Sequence, residues 1–201
     1  MMARSSQPAF SAGIEERQRL LSEAFSAPEL SVILPLFNEE ENVKPLFARL
    51  LPVLRDLRLR YEIIAINDGS TDRSLAALKA VAAETPELRI IDFRRNYGQT
   101  AAMQAGFTHA RGEIIVAMDG DLQNDPADIG KVLAKLGEGF DLVSGWRKDR
   151  QDHPIKRNFM SRVANGLISA ATGVHLHDYG CSLKAYRREL LDFQPPRAPA
   201  R

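Results

Sequence analysis

The chain has 201 residues, the length of one domain, and its 44% hydrophobic and 26% charged residues exclude wholesale disorder. With 27 Lys and Arg against 26 Asp and Glu the formal charge is +1, which excludes nucleic-acid binding by bulk positive charge and an acidic solvating tail alike. Cys181 has no partner for an internal disulfide, and no run approaches the ~18 apolar residues of a membrane span, so the chain reads as soluble and cytoplasmic.

Taken in order, residues 1–29 read as a tail rich in Ser, Ala, Pro and charge, with one helical pattern at Ile14–Phe25 that Pro28 closes. Short apolar runs then alternate with helical periodicity. The runs are Leu30–Pro35, Tyr61–Asn67, Leu88–Phe93, Glu113–Met118 and Phe140–Gly145, most of them apolar on both faces, as in a parallel sheet covered on both sides. Helices are predicted over Asn42–Leu57, Asp72–Ala83, Gln99–Ala110 and Pro126–Leu136. The second is capped by Ser70, Thr71 or Asp72, and the fourth opens with Pro126 behind Asp125. A further short strand is expected around Cys181, and residues 192–201, with three prolines, read as a second tail. The pattern predicts an open α/β sheet over residues 30–191.

Such sheets bind ligands outside the carboxyl ends of their strands. Three acidic loops fall there: Pro35–Glu41, Asn67–Asp72 and Asp119–Pro126. A basic one, Gly145–Lys148, joins them. In Asp119-Gly120-Asp121, extended backbone points both carboxylates the same way, a hard-oxygen pair suited to Mg²⁺ or Mn²⁺; the same tripeptide also serves as a turn. Asn67-Asp68-Gly69-Ser70 reads equally as a turn with a helix cap or as a nucleobase contact through Asp68.

Four ordered segments then resemble one family: PLFNEEENV, INDGSTD, RNYGQTAAMQAGFTHARGEIIVAMDGDLQNDP and DYGCSLKAYRREL. Together they are similar to the family 2 glycosyltransferases of the GT-A fold, and more narrowly to the polyisoprenyl-phosphate glycosyltransferases. The resemblance spans about residues 30–191. It implies a Rossmann-like, mostly parallel sheet flanked by helices, and transfer of a sugar, with inversion, from a UDP- or GDP-linked donor to a polyisoprenyl phosphate. By position it places Pro35, Asn38 and Glu39 at the nucleotide, Asp68 at the base or ribose, and Asp119 and Asp121 on the metal and donor diphosphate. Gln123 completes the metal site, Asn96–Gly106 lies beside the donor, and Asp178 stands on the acceptor side.

Two departures qualify the match. Asn67 stands where the family often has a first aspartate, which bears on base selectivity. The family group also continues into membrane helices, whereas this chain stops at Arg201. From Trp146 to Ala171, six basic residues against Asp149 and Asp152 give a local +4, with Ile155, Phe159, Val163 and Leu167 at helical spacing. This stretch reads as an ordinary domain helix or as an interfacial one. The resemblance favours the second, with Arg147, Lys156 and Arg157 gathering the acceptor phosphate and the chain peripheral on the inner face of the membrane. The rival readings are transfer to a non-lipid acceptor, a nucleotidyltransferase, and a shortened non-catalytic paralogue that keeps the nucleotide site. His175 and His177 read as surface or supporting residues.

Overall fold

The computed structural model describes residues 27–145 and 181–192. Successive strand–helix units follow the predicted alternation. Strand β1 (Leu30–Leu36) leads into α1 (Glu40–Asp56), β2 (Tyr61–Asn67) into α2 (Ser74–Ala82), and β3 (Leu88–Asp92) into α3 (Gln99–His109). Strand β4 (Ile114–Ala117) then leads through a 3-10 turn, Pro126–Asp128, into α4 (Ile129–Gly137). The chain closes its described part with β5 (Leu142–Ser144), β6 (Lys184–Arg187) and the short α5 (Arg188–Asp192). The helix expected at Ile14–Phe25 and the basic segment 146–171 lie outside the described residues.

The sheet order is β3-β2-β1-β4-β6-β5. Strands β3, β2, β1 and β4 are mutually parallel, whereas β6 runs antiparallel to both β4 and β5. The expected mostly parallel α/β sheet is therefore present, with one reversed strand inserted beside β4.

Double-sided burial follows from the apolar runs. Along β1 and β2, Val32, Leu34, Ile63 and Ala65 face a core with Leu46, Phe47, Leu50 and Leu54 of α1, Leu78 of α2, and Ile129, Val132 and Leu136 of α4. The alternate residues Ile33, Ile64 and Ile66 pack with Ala102 of α3 on the opposite face, where Phe107 meets Tyr186 edge to face at 5.3 Å. Buried polar residues fall near the strand ends, Ser31 and Glu62 at the amino edge and Asn67 at the carboxyl edge.

Boundaries shift where caps decide them. Asp125 caps the turn at Pro126 as predicted, its Oδ1 accepting from the Ala127 N–H, but α4 proper starts at Ile129. Asp72 serves the start of α2 by accepting from both the N–H and the hydroxyl of Ser74.

Candidate active site

A pocket of about 280 Å³ opens at the carboxyl edge of the sheet, lined among others by Pro35, Glu39, Asp68, Asn96, Gln99, Asp119 and Asp121. Three strand-end loops and the start of α3 thus converge on one concavity, as the sheet-edge rule predicts.

The loops after β1 and β2 are laced together. Asn38, at φ 58°, donates its N–H to Ser70 Oγ and accepts from the Thr71 N–H through Oδ1 at 2.8 Å. The Glu39 N–H donates to Ser74 Oγ at 2.7 Å, and Glu40 and Asp72 exchange contacts with the backbone of Arg73 and Glu40. Slight burial raises the Asp72 carboxyl, but donation from the Ser74 hydroxyl and N–H and the Glu40 N–H outweighs it and holds the group below the usual range. Asn38 stands outside the pocket lining and acts on it through this lacing, while Glu39 reaches the wall.

Asp68 is buried, and its two carboxylate oxygens accept the Tyr97 N–H at 2.8 Å and the Gly98 N–H at 2.9 Å. It lines the pocket and anchors the loop that delivers α3. The intervening Gly69 explains how the loops come so close: at φ +63°, a Cβ there would lie 2.1 Å from the Arg95 carbonyl carbon. Asn67 is explained by its neighbour. Its Nδ2 donates to Asp92 Oδ1 at 2.7 Å across the β2–β3 pair, a bond that an aspartate could not make without a shared proton.

Asp119 and Asp121 are half-buried on the opposite wall. Gly120 between them packs its Cα against Leu36, where a Cβ would fall 2.8 Å from Leu36 Cδ2. Asp119 Oδ1 accepts from Gln99 Nε2 at 2.6 Å, and Asp121 Oδ1 accepts the Gln123 N–H at 3.1 Å. Leu122 holds a left-handed φ of 62°, costly for a branched side chain, while its side chain packs on the core. Behind the loop, Ser182 Oγ accepts the Asp119 N–H at 3.4 Å and Asn124 Nδ2 at 2.6 Å. Gln123 is exposed and lies outside the pocket lining.

No cluster of three or more His, Cys, Asp and Glu that could hold a metal is present among the described residues. Two carboxylates facing a pocket nevertheless fit Mg²⁺ or Mn²⁺ bridged to substrate phosphates, since these ions take one or two carboxylates and complete their shell with phosphate and water. Of the sequence-predicted residues, the pocket brings together Pro35, Glu39, Asp68, Asp119 and Asp121. Arg147, Lys156, Arg157, Asp178, His175 and His177 lie outside the described residues. Sequence reading places the stretch from Asn96 beside the donor but misses the Gln99 and Ser182 contacts to Asp119, which no local pattern encodes.

The model of a family described as Glycosyl transferase family 2 matches residues 31–193. A dodecaprenyl-phosphate galacturonate synthase of Rhizobium johnstonii is 50% identical over 165 residues, covering 81% of this chain and 49% of the relative. An undecaprenyl-phosphate 4-deoxy-4-formamido-L-arabinose transferase of Shewanella sediminis is 41% identical over 164 residues, with the same coverages of 81% and 49%. The chain thus spans about half the length of the curated relatives it matches. Among solved structures, a mannosyltransferase from Pyrobaculum calidifontis in complex with GDP-Man and Mn²⁺ superposes with a TM-score of 0.58 at 23% identity, covering 90% of this chain and 54% of that one. Glucosyl-3-phosphoglycerate synthase from Mycobacterium tuberculosis with UDP gives a TM-score of 0.63 at 24% identity, covering 85% and 60%. These structures share the GT-A fold expected from the sequence.

Proposed function

Because the chain belongs to glycosyl transferase family 2, we propose that it transfers a sugar from a nucleotide-sugar to a polyisoprenyl phosphate with inversion, using Mg²⁺ or Mn²⁺. The observation that carries this reading is the convergence of Glu39, Asp68, Asp119 and Asp121 on one pocket at the carboxyl edge. The names of the 50% and 41% identical relatives supply the acceptor class.

In this reading Pro35 and Glu39 line the nucleoside side, with Asn38 holding their loop to Ser70 and Thr71. Asp68 faces the base or ribose while fixing the Tyr97–Gly98 backbone. Asp119 and Asp121 hold the metal, with Gln123 beside them in the same loop but outside the pocket lining, and the metal when bound would stabilise the charge developing on the leaving diphosphate. An acceptor phosphate monoester, with a second pKa of about 6, is already ionised at neutral pH and needs little help from a base. Asp178 therefore orients the acceptor more than it deprotonates it, and Arg147, Lys156 and Arg157 gather its phosphate at the inner membrane face. The local +4 of residues 146–171 supports that placement.

The test is incubation of the full chain with radiolabelled UDP- and GDP-sugars, UDP-galacturonate first, and polyisoprenyl phosphate in detergent. Label passing into the lipid phase supports the proposal. Label on a water-soluble acceptor favours the non-lipid reading, and tight nucleotide binding without transfer favours the non-catalytic one.

A further inference from the structure

The pocket is crossed by a chain of hydrogen bonds that joins its two acidic walls. Asp68, at the end of β2, accepts the N–H groups of Tyr97 and Gly98. Those two residues lead directly into Gln99, the first residue of α3. The Gln99 amide then reaches the other wall and donates to Asp119 Oδ1 at 2.6 Å. Because a carboxylate only accepts, the contact also fixes which end of the amide faces Asp119.

Asp119 is gripped twice. Ser182 Oγ takes its backbone N–H, and Gln99 takes one carboxylate oxygen. Without a donor, a carboxylate rotates about its Cβ–Cγ bond and must give up that freedom on binding a cation. Oδ1 is committed to Gln99, no second donor among the described residues reaches the carboxylate, and Asp119 lines the pocket. Outer partners that orient a ligating carboxylate in this way are typically worth about 10–100-fold in metal affinity.

We propose that Gln99 is a positioning residue that presets the Asp119 carboxylate for a divalent cation, and that it ties this setting to the Asp68 wall on the nucleotide side. The inference rests on the reading of Asp119 and Asp121 as metal ligands.

Free Mn²⁺ measured by electron paramagnetic resonance, on the full chain saturated with UDP or GDP, tests it without reference to turnover. Gln99→Met keeps the side-chain length and removes the donor; Gln99→Asn is one methylene too short to reach. Both should weaken Mn²⁺ binding by roughly 10-fold or more, with melting temperatures in EDTA equal to that of the unaltered protein, because Gln99 is exposed. Saturable Mn²⁺ binding in the unaltered chain with both variants within twofold of it overturns the inference alone. Absence of Mn²⁺ binding in the unaltered chain overturns the metal reading and the inference with it. Matching losses of melting temperature in EDTA would reassign the contact to fold stability and overturn it as well.

Discussion

Asn67 shows how one atom can decide a residue's identity. Its amide donates to Asp92 Oδ1, and its own Oδ1 is buried with no hydrogen-bond partner among the described residues, so the donor half of the side chain is the half in use. Asn67→Asp would set two carboxylates against each other unless they share a proton. The shared proton raises the folded-state pKa, so the variant keeps its stability at low pH and loses it as pH rises through that value. At pH 8 the loss should be about 1–3 kcal/mol, since each tenfold change in proton affinity is worth roughly 1.4 kcal/mol. Urea denaturation of the variant at pH 5 and pH 8 measures it; equal deficits at both values would refute the account. Gly69 is a second residue with no substitute. Gly69→Ala combines a positive φ with a 2.1 Å approach to Arg95 and should cost about 2–3 kcal/mol while displacing the loop that Asp68 anchors. Nucleotide affinity should fall with the melting temperature, and a variant with both unchanged would show the close approach to be unimportant.

Among the elements, those built from local pattern were legible in the sequence. The run Tyr61–Asn67 is β2 to the residue, and the acidic residues at the ends of β1, β2 and β4 reach one pocket because strand direction alone sends them there. What local pattern could not show is long-range. Strand β6 enters the sheet between β4 and β5 in the reverse direction, and Ala185 pairs with Val116 across 69 positions of sequence. Its place is secured by arginines that carry no local signal: Arg187 donates to the Leu136 carbonyl at the end of α4, and Arg188 to the Ala110 carbonyl just past α3. Likewise the metal-side loop is shaped from outside itself, by Gln99 and Ser182, and by Leu122 in a left-handed conformation that its packing on the core sustains. Leu122→Gly removes the strain and the packing together. It should leave the fold intact but let Asp121 and Gln123 move, weakening Mn²⁺-dependent nucleotide binding more than it lowers stability.

At the scale of the whole molecule, the two sheet edges divide labour. The carboxyl edge holds the pocket, and the amino edge is locked by Glu62. This buried carboxylate accepts from Ser31 Oγ at 2.8 Å, from the Arg111 N–H and Nε, and from Arg89 Nη1, joining β1, β2, β3 and the turn before β4. Burial pushes the Glu62 carboxyl upward, but donation from Arg111, Ser31 and Arg89 outweighs it and holds the group below its ordinary value of 4.5. A depressed folded value means the stabilisation is present above pH 4.5 and drains away as pH falls through the folded value. Glu62→Gln should cost about 1–2 kcal/mol at pH 7, a modest figure because both arginines reach solvent, and the deficit should shrink as pH falls below 4.5. No helix among the described residues is long and apolar enough to cross a membrane.

The pocket at the carboxyl edge is proposed to hold a nucleoside diphosphate through a cation on Asp119 and Asp121, and everything else in the functional reading depends on that. Isothermal titration of UDP and GDP into the full chain, with Mn²⁺ and with EDTA, tests it most directly when repeated on Asp121→Asn. Binding should be strengthened at least about tenfold by Mn²⁺ in the unaltered chain and become indifferent to Mn²⁺ in the variant, at unchanged melting temperature. Metal-strengthened binding of equal size in Asp121→Asn, or no nucleotide binding by the unaltered chain, would contradict it.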